Sequence, residues 1–190
     1  MKTALLLHGM PSKDEYFEPN SPSGSNCHWF PWLQKQLIIN EYQVWAPDIF
    51  HSYQPDYEIW KQEIERYDFN EQSLLVGHSC GGGFLLKWLS ENSLCPKKLI
   101  LVAPWIDPSR ERCPEFFECQ FDLQLHERTE IIIYGSDNDH PEIQSSIANI
   151  KAVYPHGRYR NFPGYGHFCS HDIGSDEFPE LLDDLLAEIE

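Results

Sequence analysis

The chain has 190 residues, with 14 lysines and arginines against 30 aspartates and glutamates, and a formal net charge of -16. Such a surface repels nucleic-acid phosphates and anionic membranes, so we expect neither nucleic-acid nor membrane binding. A hydrophobic content of 41% with 14% aromatic residues is typical of a globular protein and excludes a disordered chain. The length suits one hydrophobic core, and we expect a single domain over residues 1–190.

The N-terminal residues indicate the cellular location, and the cysteines indicate the redox state and whether a metal is bound. Met1-Lys2-Thr3 leads directly into the apolar run Ala4–Leu7, which is too short for a signal peptide or a membrane span. We therefore expect a cytoplasmic protein whose six cysteines are reduced. No two cysteines form a C-x-x-C pair, and the histidines and aspartates lack metal-ligand spacing, so neither a metal nor another cofactor is expected.

The first half of the chain alternates apolar runs with helical periodicity. Residues 11–27 are rich in proline, serine, asparagine and glycine without periodicity, which predicts a long loop that is either functional or a plain surface excursion. The patterns predict strands at 3–7, 42–46 and 73–76, and helices at 29–39, 56–67 and from Gly82 to about Asn92.

The second half continues the alternation. Residues 105–129 are the least regular, and one short helix or turn cluster is predicted there. This segment either forms one wall of a pocket over the sheet or packs as a satellite of the core. The remaining patterns predict strands at 98–102, 130–134 and 158–162, and helices at 141–153 and 178–189.

Alternating strands and helices predict an α/β fold. We expect about six strands in a mainly parallel sheet with helices on both faces. Ligands bind beyond the carboxyl ends of the strands in such sheets. The chemistry-bearing residues should therefore stand directly after strands.

One such position is the turn Gly77-His78-Ser79-Cys80-Gly81, between a predicted strand and a predicted helix. G-x-S-x-G in this context is typical of a nucleophile elbow, in which Ser79 is exposed above the sheet. The alternative is a glycine-rich turn in which Ser79 only caps the following helix.

A nucleophilic serine needs a base and a carboxylate that orients the base. In elbow enzymes they follow the serine in the order acid, then histidine. His167, in a glycine-rich loop after the last strand, is the predicted base, with His171 as second choice. Asp139 is the predicted acid because it stands where the next helix begins, and Asp137 is the alternative.

Backbone N–H groups should stabilise the oxyanion. We predict that of Cys80, the residue after the nucleophile, and one from Gly9 or Met10 after the first strand. His8 and His78 are expected to line the site. Several aromatic residues either form an apolar acyl pocket or pack in the core: Trp29, Phe30, Trp105, Phe116 and Phe117.

Several of these stretches occur together in one known family. They are the strand into His8-Gly9, Gly77–Gly82, Phe116–Asp122 leading to Ile131–Ser136, and Gly166–Phe168. In them the chain resembles the small α/β-hydrolase family that contains retinoblastoma-binding protein 9 and its bacterial relatives. The resemblance implies a compact α/β-hydrolase fold without a large lid domain and serine-hydrolase activity. It also implies Asp139 as the acid, by spacing from the preceding Gly-Ser.

The predicted function is hydrolysis of a small ester, thioester or amide through an acyl-enzyme, most like that of a carboxylesterase. The expected ligand is a small acyl compound, and no sequence feature identifies a protein partner. The alternative is a catalytically weak protein of this fold that acts as a binding or regulatory module.

Overall fold

A computed structural model of the chain describes residues 1–188 and is built on a six-stranded sheet in which every pair of neighbours is parallel. The strand order is β2-β1-β3-β4-β5-β6. The strands are β1 (Thr3–Leu7), β2 (Gln43–Trp45), β3 (Leu74–His78), β4 (Lys98–Val102), β5 (Glu130–Gly135) and β6 (Arg158–Asn161). The predicted α/β fold with six parallel strands is confirmed.

Helices fill the connections between the strands. They are α1 (Lys13–Phe17), α2 (Phe30–Ile39), α3 (Tyr57–Ile64), α4 (Cys80–Ser90), α5 (Pro114–Phe117), α6 (Leu125–Arg128), α7 (Pro141–Val153), α8 (Ser170–Ile173) and α9 (Pro179–Leu186), with a 3-10 turn at Gly24–Asn26. Every residue of β1, β3 and β4 is buried, so both faces of the central sheet are covered. Within residues 1–188, every helix is too short or too polar to cross a bilayer.

The strand order places a switch point between β1 and β3. From β1 the chain first moves outward to β2, and then returns to the other side of β1 to form β3. The loops after β1 and β3 therefore diverge and leave a crevice at the carboxyl edge of the sheet. His8-Gly9 follows β1 at this crevice, and Ser79 follows β3.

The predicted long loop over residues 11–27 contains a short helix, α1, that was not predicted. Ser12 and Glu15 form a capping box: the Ser12 hydroxyl accepts from Glu15 N at 3.1 Å, and the Glu15 carboxylate accepts from Ser12 N at 3.4 Å. These reciprocal bonds satisfy free backbone donors at the start of α1. The S-x-x-E spacing was therefore a readable helix signal.

Residues 105–129 contain two short helices, α5 and α6, where one was predicted. The buried Asp107 organises the stretch before α5, because its carboxylate accepts from the backbone N–H groups of Arg112 and Cys113 at 3.1 and 2.8 Å. Phe116 packs on Phe84 of α4, with ring centroids 6.0 Å apart. Phe116, Phe117 and Leu125 belong to the main hydrophobic core, so the segment packs as part of that core and not as a separate satellite.

The last predicted helix, over 178–189, is observed as α9, and Ile189 lies outside the described residues. A buried lysine fastens this helix to the sheet. Lys98 Nζ in β4 donates to the carbonyls of Asp184 and Ala187, both at 2.6 Å. It also lies 3.4 Å from the Glu130 carboxylate.

We expect Lys98→Met to lower the free energy of unfolding by about 2 kcal/mol, because helix-end carbonyls lose a charged donor. Urea unfolding monitored by tryptophan fluorescence measures the change. Lys97→Met is the matched control, because within residues 1–188 Lys97 forms an ion pair with Glu188, whose side chain is 92% exposed. Equal stabilities of the two variants would contradict the role of Lys98.

Candidate active site

The turn after β3 has the geometry of a nucleophile elbow. Ser79 has φ 52° and ψ -121°, a conformation that residues other than glycine rarely adopt. A Cβ on Gly81 would lie 2.4 Å from the His8 carbonyl oxygen, so the turn passes β1 too closely for a side chain. The Ser79 side chain makes no capping hydrogen bond to the described residues, so the alternative of a simple cap is wrong.

Asp139 and His167 lie in contact at the ends of β5 and β6. His167 Nδ1 is 3.0 and 3.1 Å from the two carboxylate oxygens of Asp139. The Asp139 side chain is 2% exposed, whereas that of His167 is 30% exposed. A buried carboxylate thus faces one ring nitrogen and leaves the opposite nitrogen for the cavity.

The other candidate acid and base do not enter this arrangement. The Asp137 carboxylate accepts from Gly164 N at 2.8 Å, and so supports the backbone of the loop that carries His167. The His171 side chain is 80% exposed, and its Nε2 lies 3.4 Å from the Asp172 carboxylate. Within residues 1–188, Asp139 is the carboxylate that contacts the His167 ring.

Side chains from several elements hold the backbone around His167. Gly166 N donates to Asn138 Oδ1 at 2.8 Å, and His167 N donates to Asp172 Oδ2 at 2.9 Å. On the carbonyl side, Trp29 Nε1 donates to the Phe168 carbonyl at 3.0 Å. The sequence did not predict the supporting roles of Asn138 and Asp172, nor that of Trp29, which was named only as a pocket or core residue.

His78, next to Ser79, also holds this segment. Its Nε2 lies 2.8 Å from the His167 carbonyl, and the rings of His78 and His167 are 4.9 Å apart. Burial lowers the pKa of His78 well below its ordinary value, and the neighbouring His167 adds to the effect. His78 is therefore neutral at pH 7, and its Nε2–H donates to the carbonyl.

His8 fixes the loop after β1 in a similar way. Ile49 N donates to His8 Nε2 at 3.0 Å, so the proton is on Nδ1 and is donated to the Gly9 carbonyl at 2.7 Å. Burial lowers the pKa of His8, which favours this neutral form. Gly24 packs on the same ring so closely that a Cβ there would lie 2.5 Å from it.

The predicted oxyanion groups lie around Ser79. Cys80 is the first residue of α4, so its N–H has no acceptor within the helix. A Cβ on Gly9 would lie 3.0 Å from Ser79 Cβ, which brings the loop after β1 against the elbow. Met10 lines the cavity beside it. The Cys80 thiol is buried and its pKa is raised well above the ordinary value by desolvation, so the sulfur is unsuited to be a nucleophile.

Ser79 and His167 open into one cavity of about 590 Å³. Residues 11–27, the loop after β2 and the predicted site-lining histidines His8 and His78 supply much of its wall. No hydrogen bond joins Ser79 Oγ to His167 among the described residues. Such bonds are often long without substrate and tighten when it binds.

The aromatic prediction is only partly correct. Phe30 lines the cavity, whereas Trp29 is wholly buried beneath it. Residues 105–129 contribute nothing to this cavity and line a separate pocket instead. His28, which sequence reasoning missed, lines the cavity and accepts from Ser170 N at 3.2 Å.

Fold and elbow together define an α/β-hydrolase. The family model described as serine hydrolase matches residues 20–187, and the chain belongs to this serine hydrolase family. The YdeN protein of Bacillus subtilis (strain 168) is 29% identical over 119 residues, which are 60% of this chain and 63% of that protein. The particular likeness to retinoblastoma-binding protein 9 stays a prediction.

Solved structures show the same fold. The crystal structure of the ydeN gene product from B. subtilis has a TM-score of 0.81 and 25% identity, and covers 97% of each chain. A bromoperoxidase from Bacillus anthracis has a TM-score of 0.65 and 16% identity, over 98% of this chain and 92% of that one. The second likeness is one of fold alone.

The lowered pKa of His78 predicts a pH-dependent stability. As pH falls below about 6.5, the unfolded histidine takes up a proton that the folded ring resists, so folding is weakened. His78→Gln keeps an N–H donor and cannot titrate. Between pH 7 and 5, its urea-unfolding free energy should fall less than that of the wild type, by up to about 1.4 kcal/mol per pH unit.

His51→Gln serves as the control, since His51 is exposed and lies outside the contacts of the His167 segment. Its stability should follow the wild-type pH dependence. Identical slopes for His78→Gln and the wild type would contradict a neutral, buried His78.

Proposed function

We propose that this serine hydrolase cleaves small carboxylic esters through an acyl-enzyme formed on Ser79. The observation that carries the proposal is the contact of His167 Nδ1 with the buried Asp139 carboxylate, in the cavity onto which the strained elbow opens. The order Ser79, Asp139, His167 along the chain agrees with this assignment.

In the proposed mechanism, Ser79 Oγ attacks the ester carbonyl carbon while His167 Nε2 takes the hydroxyl proton. Asp139 stabilises the imidazolium that forms and keeps the Nδ1 proton in place. The imidazolium then gives its proton to the departing alcohol, which leaves an acyl group on Ser79. Water, activated by the same histidine, hydrolyses that ester and regenerates the enzyme.

The oxyanion of each tetrahedral intermediate needs preorganised donors. We assign this role to Cys80 N–H and to the N–H of Gly9 or Met10. Two features support the choice: Cys80 N stands at the start of α4, where the helix dipole favours negative charge, and His8 orients the Gly9 peptide.

The cavity supports a small to medium acyl substrate. Its volume of about 590 Å³ lies within the range of small-molecule sites. Phe30 and Ile49 give it apolar surface, whereas Glu15 and Asp48 are the acidic groups on its wall. Esters need less activation than amides, because an alkoxide is a better leaving group than an amide anion. Esters are therefore the proposed substrate class.

Ser79→Ala should abolish fluorophosphonate labelling and lower p-nitrophenyl acetate turnover by at least about 10³-fold, because the nucleophile is lost. Ser25→Ala is the matched control, since Ser25 donates to Asp48 rather than to a catalytic group. Labelling that persists in Ser79→Ala would overturn the proposal. A folded wild type inert to the probe and to an ester series would instead favour the binding-module alternative.

The two aspartates after β5 provide a sharper test of the acid. Asp139→Asn should lower kcat by about 10³–10⁴-fold, because the amide cannot stabilise the imidazolium. Asp137→Asn should keep most activity, since an amide oxygen can still accept from Gly164 N. Stopped-flow turnover of p-nitrophenyl acetate measures both. Equal losses, or a greater loss in Asp137→Asn, would contradict the assignment.

A further inference from the structure

A second cluster of reactive side chains lies directly after His167. Cys169, His171 and Asp172 each offer a metal-ligating atom, and these atoms lie within 4.8 Å of one another. No other group of three histidine, cysteine or acidic side chains with such a spacing occurs within residues 1–188. The hydrolytic mechanism uses none of the three as a reacting group.

The geometry of helix α8 explains why these three side chains lie close together. Cys169 caps the one-turn helix α8, and residues three apart lie on the same side of a helical turn, which brings Cys169 and Asp172 together. His171 Nε2 lies 3.4 Å from Asp172 Oδ1. Asp172 Oδ2 accepts from the backbone N–H groups of His167 and Cys169, so Oδ1 is the oxygen that faces the cluster.

We propose that Cys169 Sγ, His171 Nε2 and Asp172 Oδ1 bind a Zn²⁺ ion, with water at the fourth position. A thiolate, an imidazole and a carboxylate form a ligand set that suits zinc. Ligand atoms about 2.0–2.3 Å from a tetrahedral ion lie roughly 3.3–3.8 Å apart, so small side-chain rotations complete the site. The Cys169 thiol releases its proton to solvent on binding.

Access and position favour a regulatory rather than a structural ion. The His171 side chain is 80% exposed, so the ion can enter from solvent without local unfolding. Cys169 also lines the cavity that holds Ser79 and His167. Asp172 Oδ2 holds His167 N, so an ion bound at Oδ1 of the same carboxylate pulls on this support of His167. Zinc should therefore inhibit hydrolysis. This inhibition rests on the proposed function, whereas the binding of zinc to the cluster does not depend on it.

Zinc binding is tested by competition with a chromophoric zinc indicator, using reduced, metal-free protein. His171→Ala and Cys169→Ser should each weaken the affinity at least about tenfold, since even the loss of a residue that only orients a ligand costs that much. His51→Ala and Cys95→Ser are matched controls elsewhere on the chain and should bind as the wild type does. Wild-type affinity in both cluster variants would overturn the site.

Inhibition is tested separately on the full chain. Zinc should slow fluorophosphonate labelling of the wild type, and a chelator should restore the rate, whereas His171→Ala should be labelled equally fast with and without zinc. Zinc that binds at the cluster without slowing labelling would overturn the inhibitory role. A wild type that is never labelled would contradict the proposed function and leave the indicator titration to decide the zinc site.

Discussion

The site depends on how the backbone around His167 is held. This segment lies beyond β6 and belongs to no sheet ladder, so its polar groups need partners from elsewhere. Asn138 and Asp172 accept its N–H groups, while His78 and Trp29 donate to its carbonyls. Because these supports come from different elements, the ring position is fixed by the assembled fold, and Asp139 only sets its final orientation.

The hydrogen bonds of His78 and His8 depend on which ring nitrogens carry protons. His78 can donate to the His167 carbonyl only through an N–H, and His8 can accept from Ile49 only through an unprotonated nitrogen. Burial lowers the pKa of both rings, and the neutral form of His8 leaves its Nε2 free to accept from Ile49 N. Asp172 has two functions in one carboxylate: Oδ2 holds His167 N, and Oδ1 faces His171. An ion bound at Oδ1 would therefore act on His167 through a single side chain.

The elements predictable from sequence were those with local signals. Apolar runs gave the six strands, and the strand-turn-helix context of Ser79 gave the elbow, because both depend on neighbouring residues. The supporting contacts had no such signal: Trp29 is 139 residues from its partner Phe168, and Asn138 is 28 residues from Gly166. The aromatic residues were ambiguous for the same reason, since only the assembled fold separates Phe30 at the cavity from Phe116 against α4.

Residues 11–28 form much of the wall of the cavity onto which Ser79 opens. They are held by contacts that include Gly24 against the His8 ring, Ser25 to the Asp48 carboxylate, and His28 to Ser170 N. The His8 ring, against which Gly24 packs, also orients the Gly9 peptide. Ser170, which donates to His28, lies next to Cys169 of the zinc-binding cluster. Because this segment forms cavity wall but contributes none of the proposed reacting groups, changes within it should alter which acyl group fits while the elbow chemistry is kept.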